Sequence, residues 1–360
     1  MNHYPRLIIV WMGCLLLGGV GFESPAAVSP VETRYHEHSK LAAAALREGH
    51  YGLARTNLLA AHELLLPAGF KSPFFPESLG LVAGFYYARG KPYLSRRYAD
   101  TLREHYLVRK GTNSMEAAYA CFLFGQVQRE LHQFKLAEKS LLESLAIAEK
   151  EAGEDSLVAA HAKARLGQLY VWMQQDAKAI EYLEPGLKRL AAARGLDKVK
   201  PFQRVSVPAF HHPNITQEAE LIVEYVLALN AVGRKEEGTA KLKLAERLHA
   251  QVDSKTSAKF HVLKQAGYTL EARGDWRAAE EHFYAAAQRL WSNEKLSKRD
   301  QLRGTELVLE FHVRNGQDAK SSAIEGVLFG AGISPDYLDE LNVRCERLSY
   351  ARDGGPHKRY

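Results

Sequence analysis

The sequence predicts an all-α fold made of about seven stacked helical hairpins. Its apolar share of 46% and charged share of 25% are those of a folded protein, and it is rich in Ala and Leu. Residues 118–151 and 160–193 each read as helix, polar turn and helix, and they align at an offset of 42 residues, with Gly125 over Gly167. A fixed period of this kind indicates a repeat array in which each hairpin buries its apolar face on its neighbours.

The same pattern recurs along most of the chain. Each unit has a small or apolar pair midway along its first helix, a polar or Gly turn, and a small residue in its second helix. Small residues there let the two helices approach closely. The units begin near Tyr35, Pro76, Ala118, Ala160, Ala219, Phe260 and Leu302. Their successive offsets are 41, 42, 42, 59, 41 and 42 residues.

These units resemble tetratricopeptide repeats (TPRs). The sixth unit carries the family pattern nearly intact, in Ala266, Gly267, Leu270, Gly274, Asp275, Trp276, Ala279, Phe283 and Ala286. The 42-residue spacing and the run at 146–155 are similar to the kinesin-light-chain variety. The resemblance covers residues 35–332 and implies a right-handed superhelical solenoid whose concave face is lined by the first helices. Two prolines depart from the pattern: Pro92 replaces the turn aromatic, and Pro185 is expected to interrupt a second helix.

The offset of 59 residues indicates a loop insertion at residues 194–218. Pro201, Pro208 and Pro213 disfavour helix in this segment. Such a loop is either an ordered lid or contact, or a tolerated surface insertion, and the sequence leaves both open. Residues 27–34 read as a linker, 333–351 as a C-terminal capping helix and 352–360 as a disordered basic tail.

Residues 1–26 read as a signal peptide. Arg6 precedes the apolar run 7–21, and small residues such as Ser24 and Ala26 are placed for cleavage. An uncleaved signal anchor and lipidation of Cys14 are the alternatives. The segment predicts export, to a bacterial periplasm or envelope surface, with membrane attachment only through an uncleaved anchor.

Cysteine usage and charge narrow the class of protein. Removal of Cys14 leaves Cys121 and Cys345, which lie far apart in an elongated array and predict no disulfide. Cys121 lies on an apolar helix face and reads as a small core residue. The net charge of +6 is not clustered, so no nucleic-acid partner is expected.

The sequence contains no recognisable catalytic motif. GxSxG, Walker A, HExxH and a GxGxxG after a strand are all absent, which predicts a protein that is not an enzyme. His36 and His38 point to different sides of a helix, and His211 and His212 lack a marked third ligand. We therefore expect neither a metal nor another cofactor.

The better functional candidates come from repeat geometry. The resemblance implies that the second, fifth, ninth, twelfth and thirteenth positions of each unit face the concave groove. The candidate groove residues are Tyr87, Tyr119, Gln126, Arg129, His161, Gln168, Trp172, Asn230, Lys264 and Tyr268. Amide side chains can bond a peptide backbone, and Tyr, Trp and Arg are common interface hot spots. Gln126, Arg129, Gln168 and Trp172 form the densest patch.

Three functions fit this pattern. The leading hypothesis is a non-catalytic scaffold that binds a protein or peptide segment in the groove. The second is a structural subunit of an envelope secretion or polysaccharide-export assembly that acts through its convex face or ends. The third is a polyanion or glycan-binding module, which would show strong salt dependence of binding.

Overall fold

Thirteen α-helices make up the described part of the chain, and no strand occurs in it. The computed structural model describes residues 29–48, 50–109, 114–193, 215–252, 258–293, 296 and 298–317. The first eight helices are α1 (Pro30–Arg47), α2 (Tyr51–Leu65), α3 (Phe75–Ala88), α4 (Pro92–Glu104), α5 (Met115–Glu130), α6 (Phe134–Ala152), α7 (Leu157–Trp172) and α8 (Asp176–Ala193). The other five are α9 (Ile215–Ala231), α10 (Lys235–Val252), α11 (Ala258–Ala272), α12 (Trp276–Trp291) and α13 (Lys298–Arg314). The all-α prediction is confirmed.

The helices form two compact units. Among the described residues, unit 1 comprises those within 29–173 and 177–193, and unit 2 comprises those within 174–176 and 215–317. In unit 1, α1–α2, α3–α4 and α5–α6 pack as hairpins, and each second helix also packs on the next first helix. In unit 2, α9–α10 and α11–α12 are the hairpins, and α13 packs on α12. No described helix is long and apolar enough to cross a membrane.

Serine caps fix the starts of three first helices in unit 1. The Ser114 and Ser156 hydroxyls accept from backbone N–H groups three residues later, at 3.1 and 3.2 Å. Ser29 forms a reciprocal capping box with Glu32, and Pro30 occupies the first helical position. Residues 30–34, expected as linker, are therefore helical. At the other expected boundary, α9 already begins at Ile215, so residues 215–218 are helical too.

Glycines allow close helix approach inside the hairpins. A Cβ on Gly125 would lie 2.8 Å from Leu141 Cγ, and one on Gly267 would lie 2.8 Å from Phe283 Cε1. Gly186 in α8 packs against the backbone of α7, where a Cβ would lie 2.9 Å from Ala164 N. Helix α8 runs through Pro185 without a break, contrary to the expected interruption. The array thus keeps its packing where the sequence departs from the repeat pattern.

One turn position takes a left-handed backbone in every described hairpin that reaches it. Glycine stands there at residues 90, 233, 274 and 316, with φ between 63 and 87°. In the third and fourth hairpins the same position is held by His132 (φ 56°) and Gln174 (φ 59°). An L side chain in this region costs about 1–2 kcal/mol. These two turns therefore hold strain that glycine would relieve.

We expect His132→Gly to raise the midpoint of thermal unfolding, with a gain of about 0.5–1 kcal/mol, since it removes this backbone strain. Gly90→Ala, which introduces the same strain at the equivalent turn, is expected to lower the midpoint. Circular dichroism melts of both variants measure the effect. A lower midpoint for His132→Gly would show that its side-chain contacts outweigh the strain.

Two further expectations concern the burial of Cys121 and the segments outside the repeats. Cys121 is fully buried in a cluster with Ala117, Ala118 and Ile147, so its assignment to the core is confirmed. Burial raises the pKa of its thiol to about 12, which makes it inert at neutral pH. The signal peptide, most of the loop insertion, the capping helix and the basic tail lie outside the described residues.

Candidate functional site

Four of the predicted groove residues form one connected set in unit 1. The Tyr87 hydroxyl donates to Gln126 Oε1 at 3.2 Å, and Arg129 Nη2 donates to the Tyr87 oxygen at 3.3 Å. The Arg129 guanidinium carbon lies 4.7 Å from the centroid of the Trp172 ring, a cation–π geometry. We call Tyr87, Gln126, Arg129 and Trp172 the Arg129 cluster. Because its members come from α3, α5 and α7, it connects three successive first helices.

The rim of the cluster holds two residues that the sequence analysis did not select. Glu130 accepts from Arg129 Nη2 at 2.6 Å, which neutralises the guanidinium. The exposed His132 ring lies 6.2 Å from the Trp172 ring. The sequence signal for His132 was available: it stands where the neighbouring units have glycine at the turn. The exposed part of this site is thus His132 with the half-buried Tyr87 and Trp172.

The Trp172 indole N–H has no hydrogen-bond partner among the described residues, although the nitrogen itself is shielded from solvent. A buried donor without an acceptor costs about 1–3 kcal/mol.

Five of the ten predicted residues expose little of their side chains. Tyr119, Gln126, Arg129, His161 and Gln168 are between 2 and 6% exposed. Tyr119 packs in a hydrophobic cluster against α3, where a Cβ on Gly80 would lie 3.4 Å from its ring. Gln168 Oε1 accepts from Arg165 Nη1 at 2.9 Å. These side chains pack between neighbouring helices because the first helices stack closely. They therefore offer little surface to a ligand.

The remaining three predicted residues, Asn230, Lys264 and Tyr268, lie in unit 2. Asn230 is exposed, and its Oδ1 lies where a Cβ on Gly238 would come within 2.5 Å. Tyr268 meets the Phe283 ring edge-on at 5.0 Å, and Arg314 stacks over it at 5.4 Å. Lys264 is half-buried, and burial lowers the pKa of its ammonium group while Glu220 opposes that shift.

Unit 2 also contains buried polar groups that periodicity did not reveal. The fully buried Glu224 accepts from Gln265 Nε2 at 3.0 Å and from Thr269 Oγ1 at 3.4 Å. Arg314 forms two hydrogen bonds of 2.8 Å with the Glu271 carboxylate, a bidentate pair. Glutamates at helical spacing read as a solvated face, so no sequence signal distinguished these from surface residues.

A further carboxyl on a first helix of unit 1 has an altered pKa. Burial raises the pKa of Glu77 in α3 to about 7, and an interaction with Tyr35 offsets this only in part. The charge of Glu77 in turn contributes to raising the pKa of Tyr106. The folded protein therefore holds a proton on Glu77 that the unfolded chain releases between about pH 4.5 and pH 7.

We expect this carboxyl to destabilise the fold as the pH rises through that window. The penalty should reach at most about 3 kcal/mol above pH 7, because one pKa unit corresponds to 1.36 kcal/mol. Glu77→Gln should be close to wild type in unfolding midpoint at pH 4.5 and more stable than wild type at pH 8. Glu48→Gln, which removes an exposed glutamate, serves as the control for the loss of one charge. A constant difference between Glu77→Gln and wild type at all pH values would contradict this assignment.

Comparison with known proteins gives relatives in fold only. No protein-family model matches the chain, and no curated protein matches it. The solved structure of RapI, in its apo form, is similar over 77% of this chain and 97% of its own, with 13% identity and a TM-score of 0.50. A Podospora anserina putative kinesin light chain with nearly identical TPR-like repeats covers 70% of this chain and 99% of its own (14% identity, TM-score 0.43). BtubC (BKLC) from P. vanneervenii covers 62% and 92% (16% identity, TM-score 0.44).

The chain has a tetratricopeptide-repeat fold. The recurring hairpins, the glycines at the helix contacts and the left-handed turn position all agree with the resemblance seen in the sequence.

Proposed function

We propose that this protein is a non-catalytic scaffold that binds a protein or peptide segment on the first-helix face of unit 1. The observation that carries the proposal is the Arg129 cluster, which connects three successive first helices and ends in exposed or half-exposed aromatic rings. A segment lying across α3, α5 and α7 would contact Tyr87, His132 and Trp172 in turn.

The cluster offers aromatic surface to a ligand. The half-buried Trp172 ring supplies apolar area at low entropic cost. Arg129 is held by Glu130 and Tyr87, so it acts by fixing the Trp172 ring more than by direct contact. Tyr and Trp are the residue types whose truncation weakens interfaces most.

Features of the sequence support the non-catalytic role and the location that we propose. The absence of a catalytic motif in the sequence supports a binding role, and no nucleic-acid partner is proposed because the net charge of +6 is modest for a chain of 360 residues. We also propose export to a periplasm or envelope surface, on the strength of the apolar run at residues 7–21. A structural role in an envelope assembly is the alternative, and the second helices would then carry the contacts.

Trp172→Ala is expected to reduce recovery of the physiological partner at least tenfold. A hot-spot tryptophan is worth about 2 kcal/mol or more, and its loss leaves the cluster without its aromatic platform. The measurement is quantitative mass spectrometry after affinity purification of the full chain from its own organism, with cell fractionation to test its location. Trp276→Ala, which truncates a half-exposed tryptophan in unit 2, is the matched control. Equal recovery of every partner by Trp172→Ala and wild type would refute groove binding at this cluster.

A further inference from the structure

An exposed leucine stands near the start of the second helix in each of the first three hairpins. Leu53 in α2, Leu94 in α4 and Leu136 in α6 are 54, 49 and 46% exposed. They occupy the same position of successive repeats, 41 and 42 residues apart, and Tyr93 beside Leu94 is 48% exposed. We call Leu53, Tyr93, Leu94 and Leu136 the leucine edge. In a stack of hairpins the second helices begin on the same side, so these residues line one edge of unit 1.

Basic residues surround the leucine edge. The first two turns of α2, α4 and α6 carry five of them: Arg55, Arg96, Arg97, Lys135 and Lys139. None of the five has an ion-pair partner among the described residues. The one acidic residue in these turns, Glu138, is already bound by the Tyr170 hydroxyl at 2.7 Å and by Lys178 Nζ at 3.0 Å. The edge therefore carries uncompensated positive charge.

The N-terminal ends of α2, α4 and α6 add to the positive charge of this edge. The N-cap residues His50, Lys91 and Gln133 make no side-chain cap hydrogen bond, and none of the three helices has an acidic residue in its first turn. By contrast, Asp275 caps α12 in unit 2 through its carboxylate. His50 pairs with Glu48 at 3.4 Å, and the first turns of the three helices hold no acidic side chain that would offset their partial positive charge.

We propose that the leucine edge binds an acidic amphipathic helix of a partner protein. Apolar side chains of that helix would cover the leucines, and its carboxylates would pair with the arginines, lysines and helix starts. A bilayer is the less suitable occupant, because surface binding to lipid needs a continuous apolar face. Here the leucines stand one per hairpin with basic residues between them. This surface belongs to the second helices, whereas the Arg129 cluster belongs to the first helices.

The test is photo-crosslinking of the full chain, with benzoylphenylalanine in place of Tyr93, in the organism of origin. The expected result is a crosslink to a segment that has an excess of Asp and Glu and apolar residues at helical spacing. The triple variant Leu53→Ser, Leu94→Ser and Leu136→Ser should lower the yield at least tenfold. Leu41→Ser with Leu66→Ser, at leucines 55 and 53% exposed elsewhere in unit 1, should leave it unchanged.

Circular dichroism of each variant confirms that the helices are retained. Crosslinks only to lipid, to a second copy of the chain, or to a segment without acidic excess would each overturn the proposal. So would the absence of any crosslink, or full crosslinking by the folded triple-serine variant.

Discussion

Gly167→Ala is expected to lower the unfolding free energy by about 3 kcal/mol, although it adds only one methyl group. A Cβ at this position would lie 2.9 Å from the Leu183 backbone nitrogen and 3.0 Å from the Ala179 carbonyl oxygen, with the Leu183 side chain closer still. Backbone atoms cannot rotate away as a flexible side chain can, so α7 and α8 must separate. The loss of packing extends along the hairpin because the contact is repeated at Gly186 on the opposite helix.

Gly52→Ala is the matched control for this effect. Gly52 lies in the first turn of α2, and no atom lies within 4 Å of a Cβ built there. Alanine is favoured over glycine in a helix by about 0.8–1.0 kcal/mol in the interior, so we expect a small gain in stability. Urea denaturation of the two variants compares them directly. An unfolding free energy of Gly167→Ala equal to that of wild type would contradict the close packing of α7 on α8.

Phe283→Ala is expected to cost about 3–5 kcal/mol and to weaken unit 2. Phe283 has no exposed surface, and its ring lies 5.0 Å from Tyr268 and 5.1 Å from Phe311. It also occupies the space left by Gly267, so its removal opens a cavity that α11 cannot fill. Hydrogen exchange should show loss of protection in α11, α12 and α13.

The control for this second change lies on the same helix. Trp276 in α12 is 50% exposed, so Trp276→Ala removes a larger side chain but opens no cavity. Its expected effect is below about 1 kcal/mol. Equal losses for the two variants would mean that Phe283 does not anchor the core of unit 2.

The parts of the fold that the sequence predicts are those that repeat. The glycines at 125, 167 and 267 mark helix contacts because close approach requires a small residue at a fixed point in each hairpin. Helix α8 shows the limit of such local rules. Pro185 disfavours a helix interior, yet tertiary packing through Gly186 carries the helix past it.

The burial of the candidate site residues could not be predicted from repeat position. Repeat position indicates which helix face a residue occupies, and four of the residues selected on that basis, Tyr87, Gln126, Arg129 and Trp172, contact one another in the structure. It does not indicate how closely neighbouring first helices stack, and so it did not reveal that Tyr119 and His161 are buried. Glu224 was missed because a buried and a solvated glutamate have the same helical spacing.

The two turns that lack glycine have an evolutionary consequence. His132 and Gln174 hold the same turn position in the third and fourth hairpins, and the backbone at both is held in a conformation that glycine adopts freely. Drift would restore glycine at these sites unless side-chain contacts offset the strain. Such contacts exist, because the His132 ring lies beside Trp172 and Gln174 Nε2 donates to the Arg273 carbonyl oxygen. Descendants that have lost Trp172 should therefore regain glycine at position 132, while those that retain it should not.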